Sequence, residues 1–417
     1  MISFAEPAES RVRFLGPRPT YWRLLARGAV LLVLTLGLYR FWLMTDVRRF
    51  LWSHSEIAGE TLEYSGSALE LVLGFLVAVA VLVPVYAAFF LAALEIGVLG
   101  EWSGVLAFLA LGFLGQFAIY RARRYRLSRT IYRGLRFAQD GSAWSYAFRA
   151  FAWWTLTGLT LGLGYPFQLA SLERYKMRHT SYGNLPGRFV GAGWRLFLRG
   201  VLMWIAVVGP LLLALGALTA AIDWHAVAGT VEQGGDDVMA RFEGGNPGFG
   251  GAIVFALLML TVAAAMAALL FPVFQAMVLH WWCSGLSFGE LRLDSKLRIR
   301  DVYGAYMRFL WCAILFSIAL GLAALPALLA LGLLEEKLPD STAVDAASIG
   351  LALAGYVIAM LGYSTIYRAT VGFSLWQLGM ESIVLTGAPV LDQVEARGRA
   401  SSPLGEGLAD ALNVGSY

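Results

Sequence analysis

The sequence predicts an all-α polytopic membrane protein: a duplicated helical unit with six transmembrane helices plus two short or broken hydrophobic segments. Composition is the first observation behind this. Of 417 residues, 59% are hydrophobic and 14% charged, with a mean hydropathy of +0.66; soluble domains hold roughly 45–50% apolar and about 25% charged residues. So much apolar surface has no aqueous face to occupy. Charge-free runs of bilayer length are the second observation, and an internal repeat is the third.

A helix needs about 20 mostly apolar residues to cross a bilayer. Residues 71–94, 102–120, 201–222, 252–279, 309–334 and 346–367 meet that requirement and are the six predicted crossings. Two further segments fit less well. Residues 28–39 hold 12 uncharged positions between Arg27 and Arg40. Residues 150–172 are long enough but carry Gly158, Gly162, Gly164 and Pro166, which weaken or break a helix.

Lys and Arg orient the chain, because cytoplasmic loops retain positive charge. Five arginines (Arg11, Arg13, Arg18, Arg23, Arg27) precede the first apolar stretch, and loops 121–149, 173–200 and 280–308 hold eight, six and five basic residues. Loop 95–101 has none, loop 223–251 only Arg241 against five acids, and loop 335–345 only Lys337 against four. The basic loops and both termini are therefore expected in the cytoplasm, and 223–250 as a flexible periplasmic loop. Segments 28–44 and 150–172 have basic flanks on both sides. Each either enters from the cytoplasmic side and returns, or crosses and leaves a basic loop outside; both readings stay open. The organisation expected is a cytoplasmic N-terminal segment 1–27, a membrane domain 28–386 and a polar C-terminal tail 387–417, disordered at its end. The N-terminal arginines extend too far for a signal peptide, and no small-residue cleavage site follows.

The two anomalous segments are copies of one another. "TLGLYRFW" from Thr35 and "TLGLGYPF" from Thr160 open an ungapped alignment at an offset of 125, equating about 35–76 with 160–201. It pairs Gly37 with Gly162, Arg49 with Arg174, His54 with His179 and Gly66 with Gly191. Apolar composition can generate matching leucines but not those pairs in register. Weaker echoes join "RYRLSRTIY" from Arg124 to "RYKMRHTSY" from Arg174, and "FQAMVLHWW" from Phe274 to "FQLASLERY" from Phe167. An aromatic–x–Gly turn recurs as "RFLG", "EYSG" and "RFVG". The basic connectors read as interfacial helices, with Phe41, Trp42, Phe50, Leu51 and Trp52 as anchors and Arg40, Arg48 and Arg49 snorkelling to headgroups. "ETLEYSG", "LRFAQDG", "GRFVG" and "LRLDSKLRI" have strand-like alternation or Gly turns and could pair as a small cytoplasmic β element.

In these residues the chain resembles the YjgN family of bacterial multi-pass inner-membrane proteins. The N-terminal aromatic–x–Gly, "TLGLYRFW", "RRFLW", "EYSG", "RYRLSRTIYRGLRF", "TLGLGYPF" and "RYKMRHTSYG" carry the resemblance over roughly residues 11–380, in order and spacing. His54 and His179 depart from it, standing where relatives more often have Asn. The resemblance implies a bacterial inner-membrane location and a polytopic architecture, and assigns no activity.

Ionisable residues in a membrane core are functional candidates by default, but Arg40, Glu95, Glu101 and Asp223 stand at segment ends and read as interfacial charges. The lack of mid-membrane carboxylates argues against a proton- or sodium-coupled transporter. Pro84, Pro210, Pro272 and Pro326 lie inside apolar runs, as kinks or as packing features. Gly158 and Gly162 form a GxxxG suited to close helix contact. His54 and His179 could face each other across a pseudo-twofold axis and bind a headgroup or metal, or simply hydrogen-bond at the interface. Two histidines make a poor zinc site, so no metal is expected. Cys283 and Cys312 form no redox or metal pattern, and no cofactor is implied. Without H-E-x-x-H, G-x-S-x-G or a P-loop, an enzyme is not expected; nor is nucleic-acid binding, since charged tracts are absent. The candidate cavity or interface residues are Gly37, Gly162, Pro166, Arg49, Arg174, His54 and His179. Membrane lipid is the expected partner; the sequence names no protein partner, substrate or oligomeric state. Two functions follow: transport or permeation of a small solute or lipid, or a non-transporting scaffold that binds lipid or another envelope protein through a basic cytoplasmic face.

Overall fold

Short β-hairpins alternate with pairs of helices along the chain. The computed structural model describes residues 10–95, 97–225, 227, 244–338, 341–395, 408–409 and 411–412. Strand β1 (Ser10–Phe14) leads into α1 (Arg18–Leu34) and α2 (Arg40–Ser53). The hairpin β2 (Ser55–Ile57) and β3 (Glu60–Tyr64) leads into α3 (Ala68–Glu95) and α4 (Gly97–Arg129). Then β4 (Thr130–Tyr132) and β5 (Leu135–Gln139) lead into α5 (Ala143–Leu159) and α6 (Tyr165–Arg178). Next, β6 (Thr180–Tyr182) and β7 (Leu185–Phe189) precede α7 (Gly193–Ala220) and α8 (Phe249–Gly285). Strands β8 (Leu286–Phe288) and β9 (Leu291–Ser295) precede α9 (Ile299–Lys337) and α10 (Thr342–Tyr367). A π-helical turn (Arg368–Gly372), α11 (Phe373–Ser382), β10 (Ile383–Thr386) and a 3-10 turn (Ala388–Gln393) follow.

The strands close into one barrel in the order β1-β10-β9-β8-β7-β6-β5-β4-β3-β2, all neighbours antiparallel. Its register repeats around the ring. The third residue of each long strand opposes the third of the short strand that ends the next group of helices: Val12 with Ile57, Leu62 with Tyr132, Phe137 with Tyr182, Gly187 with Phe288 and Leu293 with Leu385. Leu385 pairs with Ser10 just as Ile57 pairs with Glu60. The two terminal strands thus complete a fifth hairpin and leave no open edge to aggregate. Two-residue turns join the other four. Ala58 and Gly59 (φ +48° and +89°) and Arg133 and Gly134 (φ +48° and +74°) take left-handed backbone, as tight hairpins with the right twist require.

Alternation along the strands fills the barrel and wets its outside. Val12, Leu62, Tyr132, Tyr182, Leu291 and Leu385 form an inner core with Cys283 and Leu391, while Arg11, Arg13, Glu60, Glu63, Arg188 and Arg292 are exposed. The chain is mostly helical, as predicted, but the all-α reading is corrected by this barrel. "ETLEYSG", "LRFAQDG" and "LRLDSKLRI" contain β3, β5 and β9, and "GRFVG" holds the end of β7. Each strand has only three to five residues, too few for alternation to stand out from helical periodicity, and the closing pair comes from opposite ends of the chain.

Among the described residues, six helices are long and apolar enough to cross a membrane, within Ala68–Leu91, Trp102–Arg129, Gly193–Ala220, Phe249–Gly285, Ile299–Lys337 and Thr342–Ser382. Much of their apolar surface faces outward, as at Leu73, Phe108, Leu202, Leu257, Leu322 and Leu353, which suits lipid as the solvent. Pro84, Pro210, Pro272 and Pro326 all lie inside continuous helices. Helices α1, α2, α5 and α6, of 17, 14, 17 and 14 residues, are not among the six. Helix α1 begins at Arg18, so the expected boundary after residue 27 falls inside it.

Contacts divide the chain into two compact units. Met1–Phe151, Leu172–Gly191 and Leu279–Tyr417 form the first, which holds the whole barrel; Ala152–Ser171 and Ala192–Val278 form the second. Elements α1, α2, β2, β3 and α3 recur 125 positions on as α5, α6, β6, β7 and α7. The predicted tail is ordered at its start, where Leu391 joins the barrel core and Asp392 pairs with Arg133 at 2.6 Å. Most of loop 223–250 and of 396–417 lies outside the described residues.

Candidate functional site

The aromatic–x–Gly motif has a steric cause. A Cβ on Gly16 would stand 2.5 Å from the Phe14 ring, one on Gly66 2.6 Å from the Tyr64 hydroxyl, and one on Gly191 2.5 Å from the Phe189 ring. The ring folds back over the glycine, leaving its carbonyl for an arginine. Arg49 Nη2 donates to Gly66 O at 3.0 Å, and Arg174 Nη2 to Gly191 O at 3.3 Å. Arg124 does the same to Gly141 O. Arg49 and Arg174 are therefore clamps between a helix end and the next strand exit, and Arg124 is a third clamp that the ungapped alignment missed. Its signal was the 50-residue echo between "RYRLSRTIY" and "RYKMRHTSY".

Of the two readings of His54 and His179, a facing pair or simple hydrogen bonding, the contacts are those of hydrogen bonding at helix ends. His54 Nδ1 lies 2.7 Å from Phe50 O and His179 Nδ1 2.8 Å from Tyr175 O, each ring resting on the same residue's aromatic ring at 4.4 Å. Among the described residues no three His, Cys, Asp or Glu side chains group to hold a metal. The interfacial anchors are also reassigned. Phe41 packs with Ala68, Leu71 and Tyr125, Phe50 with Phe14 and Tyr21, and Trp52 stacks on Trp376 at 5.0 Å. Arg48 is buried and donates to Tyr64 Oη at 3.1 Å rather than snorkelling. Trp42 alone of these aromatics keeps a largely exposed face.

Beside the first residues of the short strands, unit one gathers buried charge. Glu173 is 5% exposed, pairs with Lys176 and accepts from Trp282 Nε1 at 3.1 Å. Arg123 reaches Thr180 Oγ1 and Met177 Sδ at 3.5 and 3.4 Å. Burial pushes the Glu173 pKa upward, but the Lys176 and Arg123 charges and two hydrogen bonds outweigh it and hold the carboxyl below its usual range. Burial pulls the Lys176 ammonium down against the opposing pull of Glu173, with Arg123 and Arg126 adding to the fall. A charged cluster in the interior persists only where geometry and hydrogen bonds are good. Sequence reading missed it because Glu173 and Lys176 look like any solvated helix pair.

Unit two holds a cavity of about 530 Å³, inside the roughly 300–1,000 Å³ range of ligand pockets. It forms where α5 turns into α6. Leu161 and Gly162 take left-handed backbone (φ +50° and +94°), as Leu36 and Gly37 do between α1 and α2 (φ +50° and +91°). Thr160 Oγ1 and Thr35 Oγ1 bind the same positions of each turn. Pro166, the second residue of α6, starts that helix rather than breaking one, where its missing N–H is not needed. Gly162 and Pro166 both line the cavity with Phe197, Trp204, Leu270 and Phe274. Its polar groups are largely occupied: Thr157 Oγ1 donates to Gln168 Oε1 at 2.8 Å, and Trp204 Nε1 to Leu161 O at 2.7 Å. No lining residue is ionisable except Tyr165. Gly37 has open space around its Cβ position and does not line this cavity. The expected GxxxG contact is absent at Gly158, whose Cβ position is open too.

Six helices of crossing length among the described residues, with much of their apolar surface exposed, define a polytopic helical membrane protein. The chain matches the family described as "Bacterial protein of unknown function (DUF898)" over residues 9–411 and belongs to it; the YjgN family is this same family. No curated protein and no solved structure matches the chain.

Proposed function

We propose that this is a multi-pass protein of the bacterial inner membrane that takes a lipid, or a similarly apolar solute, into the unit-two cavity and moves it within the bilayer. The carrying observation is the lining: left-handed turn, proline and aromatic side chains border an open, ligand-sized cleft with its few polar groups already engaged. A polar solute would lose its hydration there without replacement. The scaffold reading draws support from the exposed arginines on the barrel's outside, Arg11, Arg13, Arg188 and Arg292, which suit an anionic surface.

The architecture is read as follows. The α1–α2 and α5–α6 pairs arose by duplication and re-enter from the cytoplasmic side. Each leaves a long strand and returns to the short strand paired with it, and each helix falls short of the ~20 residues a crossing needs. The barrel and both termini then share the cytoplasmic side with the arginine-rich loops.

The test is native mass spectrometry of retained lipid together with lipid movement in proteoliposomes. Ala267→Trp, which fills the cavity, should lower both by several-fold while leaving the helical content intact. Unchanged retention and movement in that variant would remove the cavity from the mechanism.

A further inference from the structure

In unit one, two arginines from distant parts of the chain converge on one buried hydroxyl. Arg18 Nη2 lies 3.2 Å and Arg308 Nη2 3.1 Å from Ser374 Oγ, and Ser374 is 1% exposed. The two guanidinium groups therefore approach the ~4–6 Å separation at which like charges oppose each other. Neither makes an ion pair among the described residues; Arg18's other hydrogen-bond partner is the neutral Gln377, at 3.5 Å. Burial, followed by the Arg308 charge, pulls the Arg18 guanidinium below its ordinary pKa.

The surroundings hold this unfavourable pair in place. Arg18 stacks on the buried Phe373 ring at 4.9 Å and is the first residue of α1, whose N-terminus has no side-chain cap and so adds positive potential. Ser374 is the second residue of α11, whose start at Phe373 adjoins the π-helical turn Arg368–Gly372, a rare geometry that recurs at functional sites. Arg308 stands one residue ahead of the charge-free run 309–334, which sets the group at headgroup depth.

We propose that Arg18, Arg308 and Ser374 bind the phosphate oxygens of an anion at the membrane interface, with the two guanidinium groups clamping it and the hydroxyl donating. Planar guanidinium forks match phosphate geometry, and one phosphate charge relieves the repulsion between them. The site does not rest on the cavity reading, since no residue is shared.

The full chain in detergent would be tested for thermal stabilisation by three probes: phosphatidylcholine, phosphatidylglycerol and inorganic phosphate. Binding to the folded state alone raises stability with ligand concentration. Phosphatidylglycerol is expected to stabilise more than phosphatidylcholine, and Arg18→Gln/Arg308→Gln should weaken its apparent affinity about tenfold or more. Stabilisation by inorganic phosphate to the same extent would assign the site to the free anion; its failure beside a phosphatidylglycerol effect would assign it to lipid. Equal responses to all three probes, or a double variant that responds like the parent, would overturn the proposal. Should the double variant not fold, a photoactivatable phosphatidylglycerol on the parent protein decides. Labelling should fall on the peptides holding Arg18 and Arg308, and labelling only elsewhere would overturn the site.

Discussion

Glu173→Leu is expected to destabilise the protein severely, and to do so through what it leaves behind. The carboxylate is 7% exposed by side chain and its partner Lys176 17%. Arg123 adds its charge, and Trp282 Nε1 loses its acceptor. Breaking one side of a buried ion pair costs about 3–5 kcal/mol, and an orphaned donor adds about 1–3 kcal/mol; partial exposure of Lys176 places the expectation near the bottom of the combined range, about 4–5 kcal/mol. Glu173→Leu/Lys176→Met removes both charges and should recover much of it, a coupling of about 1–3 kcal/mol. The assay is unfolding in detergent followed by Trp fluorescence and circular dichroism for the parent, both singles and the double. The sign with pH follows as well. Because the folded pKa of Glu173 lies below its unfolded value, its stabilisation is complete above the unfolded pKa of about 4.3 and is lost as pH falls through the folded pKa. The single variant's deficit should therefore shrink in acid. A deficit under about 1 kcal/mol at neutral pH, or a double variant no better than Glu173→Leu, would refute the idea that this pair is a buried, mutually dependent unit.

Gly162→Ala and Gly37→Ala each force a Cβ onto left-handed backbone and should cost about 1–2 kcal/mol; comparable thermal shifts for the two would mark the turns as equivalent, and no shift would refute the strain. Arg124→Ala should destabilise by about 1 kcal/mol, like Arg49→Ala and Arg174→Ala, since all three clamp a glycine carbonyl; a neutral Arg124→Ala beside two costly relatives would break that grouping. A Ser181→Cys probe should be labelled only from the cytoplasmic side, and labelling of intact cells by an impermeant reagent would end the re-entrant reading.

Particular residues show where sequence reasoning reached and where it stopped. The 125-residue offset legible in the sequence places α1, α2, β2, β3 and α3 on α5, α6, β6, β7 and α7 residue for residue, because paired glycines and arginines resist chance. The cavity residues Gly162 and Pro166 were legible for the same reason: a glycine run followed by proline interrupts a helix wherever it is placed. The roles of Arg49, Arg174, His54 and His179 were not. Their chemistry suits headgroups or metals, yet Arg49 and Arg174 reach a glycine carbonyl beyond the next hairpin, and His54 and His179 meet a carbonyl of their own helix.

Composition and charge by themselves determined that this chain lives in lipid and which six stretches can cross it, because transfer of apolar surface and retention of arginine depend on residue type alone. The tertiary structure decided the rest. Strands of three to five residues cannot announce themselves, but the ring closes when the first strand meets the last, across nearly the whole chain. Only that closure reveals a fivefold register around the ring, and only packing brings Glu173 to Trp282, or Arg18 and Arg308 to Ser374. Such neighbours are set by distance in space, which residue order does not contain.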